Sequence, residues 1–339
     1  MTSRELVIRT LNHQPVPRVP RDVWVLPATE SAQRDDVEEI GVRYPSDIAR
    51  TDFQFPSMGK RGHGKPRDGR FVDAWGCIWE ATPSAAWEAK DPPLAETAKI
   101  ANFKPPTEIL DAQKFAQAAR SVDAASRFIL AHSDVRPFER LQALRGTKTA
   151  TVDLARGTKD VRRLLEMVHD FNRKELELWA ATEADGVIIG DHWGTDDSLI
   201  VAPAMWREIF KPLYRDYAQI LHAKDKFVFF RSGGNIADIF SDLVKIEVDA
   251  VHSDWGTMNL ERLAKRFRGR ITFWGGIERE EALAQSPTAT RESASRVRKA
   301  LDLGAGGVIA QCTWRPGVPI QPISAFCDQW LVPMPMHAG

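Results

Sequence analysis

The sequence predicts a closed (β/α)8 barrel. Three observations carry that reading. Eight short apolar runs alternate with longer segments of helical period. Nearly all eight runs lack alternating polar residues, so both faces of each strand are covered, as in a parallel sheet flanked by helices. The open doubly wound alternative needs a Gly-rich nucleotide turn after an early strand, and no G-x-G-x-x-G is present. The length of 339 residues exceeds a typical domain but fits one barrel with an insertion, so residues 1–339 are read as a single domain.

Residues 3–12 form a helix opened by Ser3, with Leu6, Val7 and Leu11 on one face. A Pro-rich crossing follows, then a strand at 23–26 stopped by Pro27. Residues 35–44 form a short helix ended by Pro45, and 47–51 a weak second strand. The third strand is 128–131, followed by helices at 136–145 and 158–182. The long one repeats Val161, Leu164, Leu165, Val168 and Phe171 near the helical period. Strands at 186–189, 227–230, 250–252, 271–274 and 307–310 then alternate with helices at 203–223, 235–246, 260–267, 290–303 and 322–331.

One insertion, residues 53–126, interrupts this order after the second strand. Its alternating segment at 70–80 reads as a hairpin, and the preceding basic, Gly-rich stretch with Lys60, Arg61, Lys65 and Arg67 reads as a solvated loop. A lid over the barrel mouth, carrying Trp75 and His63, is the alternative.

Composition excludes several classes. Forty-six basic and forty-six acidic residues cancel, which argues against a nucleic-acid partner. No run of eighteen apolar residues exists to span a membrane, and the first fourteen residues have no signal-peptide core. Three scattered cysteines, Cys77, Cys312 and Cys327, fit a reducing cytoplasm and offer no C-x-x-C pair.

In this fold, catalytic groups stand just past the C-terminal strand ends. Those positions hold His132, Ser133 and Asp134; Asp191 and His192; Arg231 and Asn235; His252 and Asp254; Glu278; and Gln311, Cys312 and Arg315. Trp193, Trp255, Trp274 and Trp314 fall one to four residues past strand ends, so on this reading they ring the mouth and suit a flat or cationic substrate. The set is read as an active site. Asn235 and the histidines His132 and His252 are assigned to substrate, although Asn235 is equally placed to cap its own helix.

The chain resembles the uroporphyrinogen decarboxylase superfamily from its start to about Trp330. The resemblance rests on RVPRDVW, RPFERLQALRG, APAMWREIFKPLYRDY, FVFFRSGGNIADI, ITFWGGIERE and GGVIAQC, in that order. It implies a cytosolic (β/α)8 barrel, commonly a homodimer, with one of two chemistries. One is cofactor-free decarboxylation of a porphyrinogen; the other is methyl transfer between a corrinoid protein and a thiol or methyl donor, often with zinc. Two departures bear on the choice. The first-strand segment reads VWVLPATES, without the arginines that hold porphyrinogen propionates. Arg231 and Gly233 stand where zinc methyltransferases resemble one another in a His-x-Cys pair, and neither can ligate zinc. Asp191 matches the acidic fourth-strand position, and His192 replaces its neighbour.

Arg231 suits a carboxylate through two parallel hydrogen bonds. His192, oriented by Asp191, suits the acid that protonates the carbanion left by decarboxylation. The expected function is therefore a cofactor-independent decarboxylase of a small, aromatic carboxylic acid. The alternative is a corrinoid-linked methyltransferase acting on a methoxylated or methylated compound. Zinc, were it bound, would use His132, Asp191, His192 and Cys312. Arg136 and Arg140 are read as braces for the barrel top, paired to Glu139 or Asp134.

Overall fold

The computed structural model describes residues 1–51, 53, 69–81, 87–122, 126–302 and 304–331. Eight parallel strands form a nearly closed barrel. They are β1 (Arg21–Val25), β2 (Ile48–Arg50), β6 (Phe128–His132), β7 (Gly186–Gly190), β8 (Phe227–Arg231), β9 (Ala250–His252), β10 (Thr272–Trp274) and β11 (Val308–Trp314). Hydrogen-bonded neighbours run in the order β1-β11-β10-β9-β8-β7-β6-β2. Between them in sequence, β3 (Arg70–Val72), β4 (Ile78–Ala81) and β5 (Trp87–Lys90) make a separate antiparallel sheet. All eight predicted barrel strands are present. The last is longer than predicted, because Gln311, Cys312, Thr313 and Trp314 continue it.

Side chains alternate between two cores, as the strand period of two demands. Ile48, Phe128, Leu130, Ile188, Phe229, Ala250, Trp274 and Ile309 fill the barrel interior. Val7 and Leu11 of the helix Ser3–Leu11 join them. That helix closes the N-terminal end, where Gly307 donates its N–H to the Thr10 carbonyl. Ala131, Val187, Ile189, Val228, Phe230, Val251, Phe273, Ala310 and Cys312 face the surrounding helices instead.

The seam between β1 and β2 lacks a ladder and is closed by carboxylates. The Asp47 side chain accepts the Arg21 N–H at 2.8 Å and both terminal nitrogens of Arg18 at 2.6 Å. Its own N–H donates to the Arg21 carbonyl at 2.9 Å. One turn further up, Arg50 of β2 grips Asp22 of β1 with both terminal nitrogens, at 2.6 and 2.5 Å. Asp22 also accepts the Trp274 indole N–H at 2.7 Å. Charged pairs thus replace the backbone bonds that the short β2 does not make.

The hairpin expected at 70–80 is found and gains a third strand. It is docked by one carboxylate: Asp73 accepts the N–H of Trp75, the N–H of Cys77 and the Trp79 indole N–H, each at 2.9 Å. Arg140 joins Asp73 to Asp134 of the barrel, at 2.5 and 2.6 Å, which is the bracing role expected of it. Trp75 is buried against Phe103 and against Phe171 of the helix Lys159–Ala180, so it packs into the core. His63 and the basic stretch before residue 69 lie outside the described residues. The long helix predicted at 203–223 contains a π-turn at Trp206–Phe210, next to Pro212, which has no N–H to offer a regular turn.

Candidate active site

The C-terminal mouth of the barrel holds a cavity of about 260 Å³. The inward register of the strands sets its wall. Leu130, Phe229 and Ala250 point inward, and two residues later so do His132, Arg231 and His252. Arg231 and His252 are register partners on neighbouring strands. Ser133, Arg136, Glu139, Asp191, His192, Asp254, Glu280 and Arg315 complete the wall from the following loops.

The charges around this cavity are mostly committed. Arg315 pairs with Glu280 at 2.8 and 3.0 Å. Asp254 accepts the Gly234 N–H at 2.6 Å. Arg136 stands 3.9 Å from Glu139 and 3.4 Å from the His132 Nε2. Arg231 differs: it lines the cavity, and among the described residues it has no ion-pair partner. Its guanidinium lies 4.4 Å from the ring centroid of Trp24, a residue on β1 that sequence reasoning treated only as strand core. Arg50 lies 4.7 Å from the same ring, and His132 meets it edge-on at 5.6 Å. The cation–π contact fixes the guanidinium without neutralising it. Burial, with Arg136, Arg50 and Arg315 nearby, pushes the Arg231 pKa down to about 10, so it stays charged at neutral pH.

His132 and His252 are pushed down to about 3, first by burial and then by neighbouring guanidinium groups, Arg136, Arg231 and Arg50 for His132 and Arg231 and Arg50 for His252. Both are neutral in the folded protein. An unfolded chain protonates its imidazoles near pH 6.5. Between that pH and about 3 the unfolded state binds more protons, so stability falls as the solution is acidified through this window. The urea midpoint is expected to drop from pH 7 to pH 4, and to drop less in a His132→Asn, His252→Gln double variant. Parallel pH profiles for the two proteins would rule the account out.

Several sequence-predicted residues are displaced from their expected roles. Asp191 does not orient His192. Its carboxylate accepts the N–H groups of Phe138 and Glu139, at 2.9 and 2.7 Å, and the Tyr214 hydroxyl at 2.5 Å. It therefore caps the helix Pro137–Arg145 from the end of β7, satisfying two amides that the helix cannot pair itself. Burial and the Glu139 carboxylate raise its pKa well above the usual range, against the pull of these three donors. His192 is exposed at the rim and packs on Gly233, where any Cβ would stand 2.4 Å from its Nδ1.

The tryptophan ring is also corrected. Trp193, Trp255, Trp274 and Trp314 are at most 1% exposed. Trp193 stacks on Phe138 and donates to Tyr214; Trp255 packs on Phe273; Trp314 donates to the Val318 carbonyl. Trp274 points into the barrel but spends its N–H on Asp22. Asn235 braces its loop instead of facing the cavity: its amide donates to the Thr257 carbonyl at 2.9 Å and accepts the Ala237 N–H at 3.1 Å. Arg136, read as a brace, does stand 3.9 Å from Glu139 and is also part of the cavity wall.

The candidate zinc ligands do not gather. Cys312 packs in the outer core with Ala310 and Trp314, on the opposite strand face from the cavity. Asp191 is occupied by the helix amides. Among the described residues no three His, Cys, Asp or Glu side chains come together as a metal site. The residues present do not fit a zinc centre of that composition.

Fold and cavity define a (β/α)8 barrel with a charged, arginine-bearing pocket at its C-terminal mouth. The family model described as uroporphyrinogen decarboxylase (URO-D) matches residues 73–329, and the chain belongs to that family. Its fold is that of a methyltransferase from Methanosarcina mazei, at 12% sequence identity and a TM-score of 0.73, covering 97% of this chain and 98% of that one. A D-psicose 3-epimerase (12% identity, TM-score 0.39, covering 69% and 83%) and the GH18 chitinase ChiB of Flavobacterium johnsoniae (9%, 0.40, covering 92% and 94%) superpose more loosely. No curated protein matches the chain by sequence. Among the described residues no helix is long and apolar enough to cross a membrane.

Proposed function

We propose that the protein is a cofactor-independent decarboxylase of a small carboxylic acid. The observation that carries this reading is Arg231, a permanent cation on the cavity wall, backed by Trp24 and free of any carboxylate partner among the described residues. A carboxylate is the simplest ligand that satisfies such a group, through paired charge-assisted hydrogen bonds.

Loss of carbon dioxide breaks the bond from carbon to carboxylate and leaves its electron pair on the substrate. Without a cofactor, the substrate itself must hold that pair, as a β-keto acid does or as a hydroxylated aromatic ring does once its carbon is protonated. The vacated carbon must take one proton. His192, at the rim of the same cavity, is the imidazole assigned to proton delivery. The buried tryptophans no longer argue for an aromatic substrate. Methyl transfer through zinc is the weaker reading, because Cys312 faces away from the mouth.

The test is a panel of β-keto and hydroxyaromatic acids assayed for released carbon dioxide in heavy water. At least one acid is expected to lose carbon dioxide and return with deuterium on the vacated carbon. Carboxylates that neither react nor bind would overturn the proposal.

A further inference from the structure

Four arginines stand at or beside the barrel mouth, and two of them are spent on carboxylates. Arg50 gives both terminal nitrogens to Asp22, and Arg315 gives two nitrogens to Glu280. The other two, Arg136 and Arg231, both line the cavity. Arg231 has no ion-pair partner among the described residues. Arg136 lies 3.9 Å from the Glu139 carboxylate, beyond hydrogen-bond distance. Among the described residues its guanidinium makes one polar contact within 3.5 Å, with the His132 Nε2 at 3.4 Å. A guanidinium has no acceptor, so it donates there, and its remaining N–H groups are uncommitted to protein.

Each of these two groups has its own support. Arg231 lies over Trp24, 4.4 Å from the ring centroid, and Arg136 is held on the His132 ring. The two rings meet edge-on at 5.6 Å, so the guanidiniums are joined through them. They are near enough for Arg136 to be the first charge, after burial, that lowers the Arg231 pKa. Two like charges on one wall repel, and the Glu139 carboxylate offsets this only from a distance. A ligand with two negative groups offsets it at both positions. The cavity, about 260 Å³, lies below the roughly 300–1,000 Å³ of pockets for drug-sized ligands, so both groups belong to one short molecule.

We propose that the ligand of this cavity is a short dicarboxylic acid, with one carboxylate on Arg231 and the second on Arg136. Arg136 is then the residue that selects diacids over monoacids. The diacid deepens the proposed function and rests on it for the carboxylate at Arg231; the second carboxylate rests on Arg136 alone.

The test is calorimetry on the full chain with acids paired by carbon number: malonate with propionate, succinate with butyrate, glutarate with pentanoate, and sulfate as a compact dianion. At least one diacid is expected to bind about tenfold or more tighter than its monoacid and than sulfate, the size of one charge-assisted hydrogen bond. Arg136→Gln is expected to abolish that preference and leave monoacid affinity nearly unchanged, whereas Arg231→Gln weakens both. Equal affinity within every pair overturns the diacid and leaves the carboxylate site at Arg231 standing. Sulfate as tight as the best diacid, or an Arg136→Gln variant that weakens monoacid and diacid alike, means that both guanidiniums close on one anion, and overturns it too. No binding by any of these acids overturns the diacid together with the carboxylate site at Arg231. The acid pairs decide between diacid and monoacid on the unsubstituted protein even if a variant fails to fold.

Discussion

Arg231→Ala is expected to lower kcat/KM for the carboxylate substrate by roughly 30- to several-thousand-fold, while leaving the fold as stable as before or slightly more so. The magnitude follows from truncating one partner of a desolvated charge pair, about 2–5 kcal/mol, at about 1.36 kcal/mol per tenfold. The stability expectation follows from the environment. Arg231 is largely removed from solvent, has no carboxylate partner among the described residues, and is repelled by Arg136, Arg50 and Arg315. Folding therefore gains little from it beyond the contact with Trp24. Arg231→Lys keeps the charge but loses the planar fork and the flat stacking surface, and is expected to fall between the two. Calorimetry with the substrate acid, and thermal melts of each variant, separate the outcomes. A variant that melts far lower yet turns over normally would make Arg231 a structural residue and leave the anion site without its central group.

The barrel was legible in the sequence because parallel strands buried on both faces must be apolar along their whole length, and β6, β7 and β8 are so until their last residue. The same rule of alternation marks part of the site. Counting in twos from Phe128, Phe229 and Ala250 puts His132, Arg231 and His252 on the inner face. The count failed where the strand end was misplaced. Ending the last strand at Ala310 turned Cys312 and Trp314 into loop residues at the mouth, whereas β11 runs to Trp314 and places both toward the helices. Trp193 and Trp255 do follow strand ends, but their loops fold back under Phe138 and Phe273, a tertiary event with no local signal. Asp191 shows the same limit. Its position at a strand end suggested chemistry, yet its partners are helix amides 52 and 53 residues earlier in the chain. Trp24 was missed for the opposite reason. In a run of apolar residues a tryptophan reads as core, and only the spatial approach of Arg50 and Arg231 shows it to be the platform of the site.

Asp22→Ala is expected to cost about 3–5 kcal/mol of stability, the range for breaking a buried ion pair by removing one partner. Asp22 is fully buried and bonded three times, twice by Arg50 and once by the Trp274 indole. Removing it leaves a guanidinium and an indole N–H inside the barrel with nothing to accept from them. The location raises the stakes. Among the described residues β1 and β2 share no ladder, and this pair joins the seam together with the Asp47 contacts and the Ser46 hydroxyl on the Arg21 carbonyl. A double variant, Asp22→Leu with Arg50→Met, removes both charges and fills the space with apolar groups. It is expected to recover much of the loss, because the cost of the single variant lies in the stranded charge more than in the missing bond. Urea unfolding of the three proteins at neutral pH measures both steps. A single variant within about 1 kcal/mol of the parent, the range of an exposed pair, would mean that water reaches Arg50 and that the seam is held by other contacts. A double variant no better than the single would mean that the pair contributes directional bonding that apolar packing cannot replace. The expected outcome ties stability to the site, since Arg50 also stacks on the ring that carries Arg231. The double variant should therefore fold well and still bind the anion less tightly, with the closure of the barrel and the placement of its cation separated in one experiment.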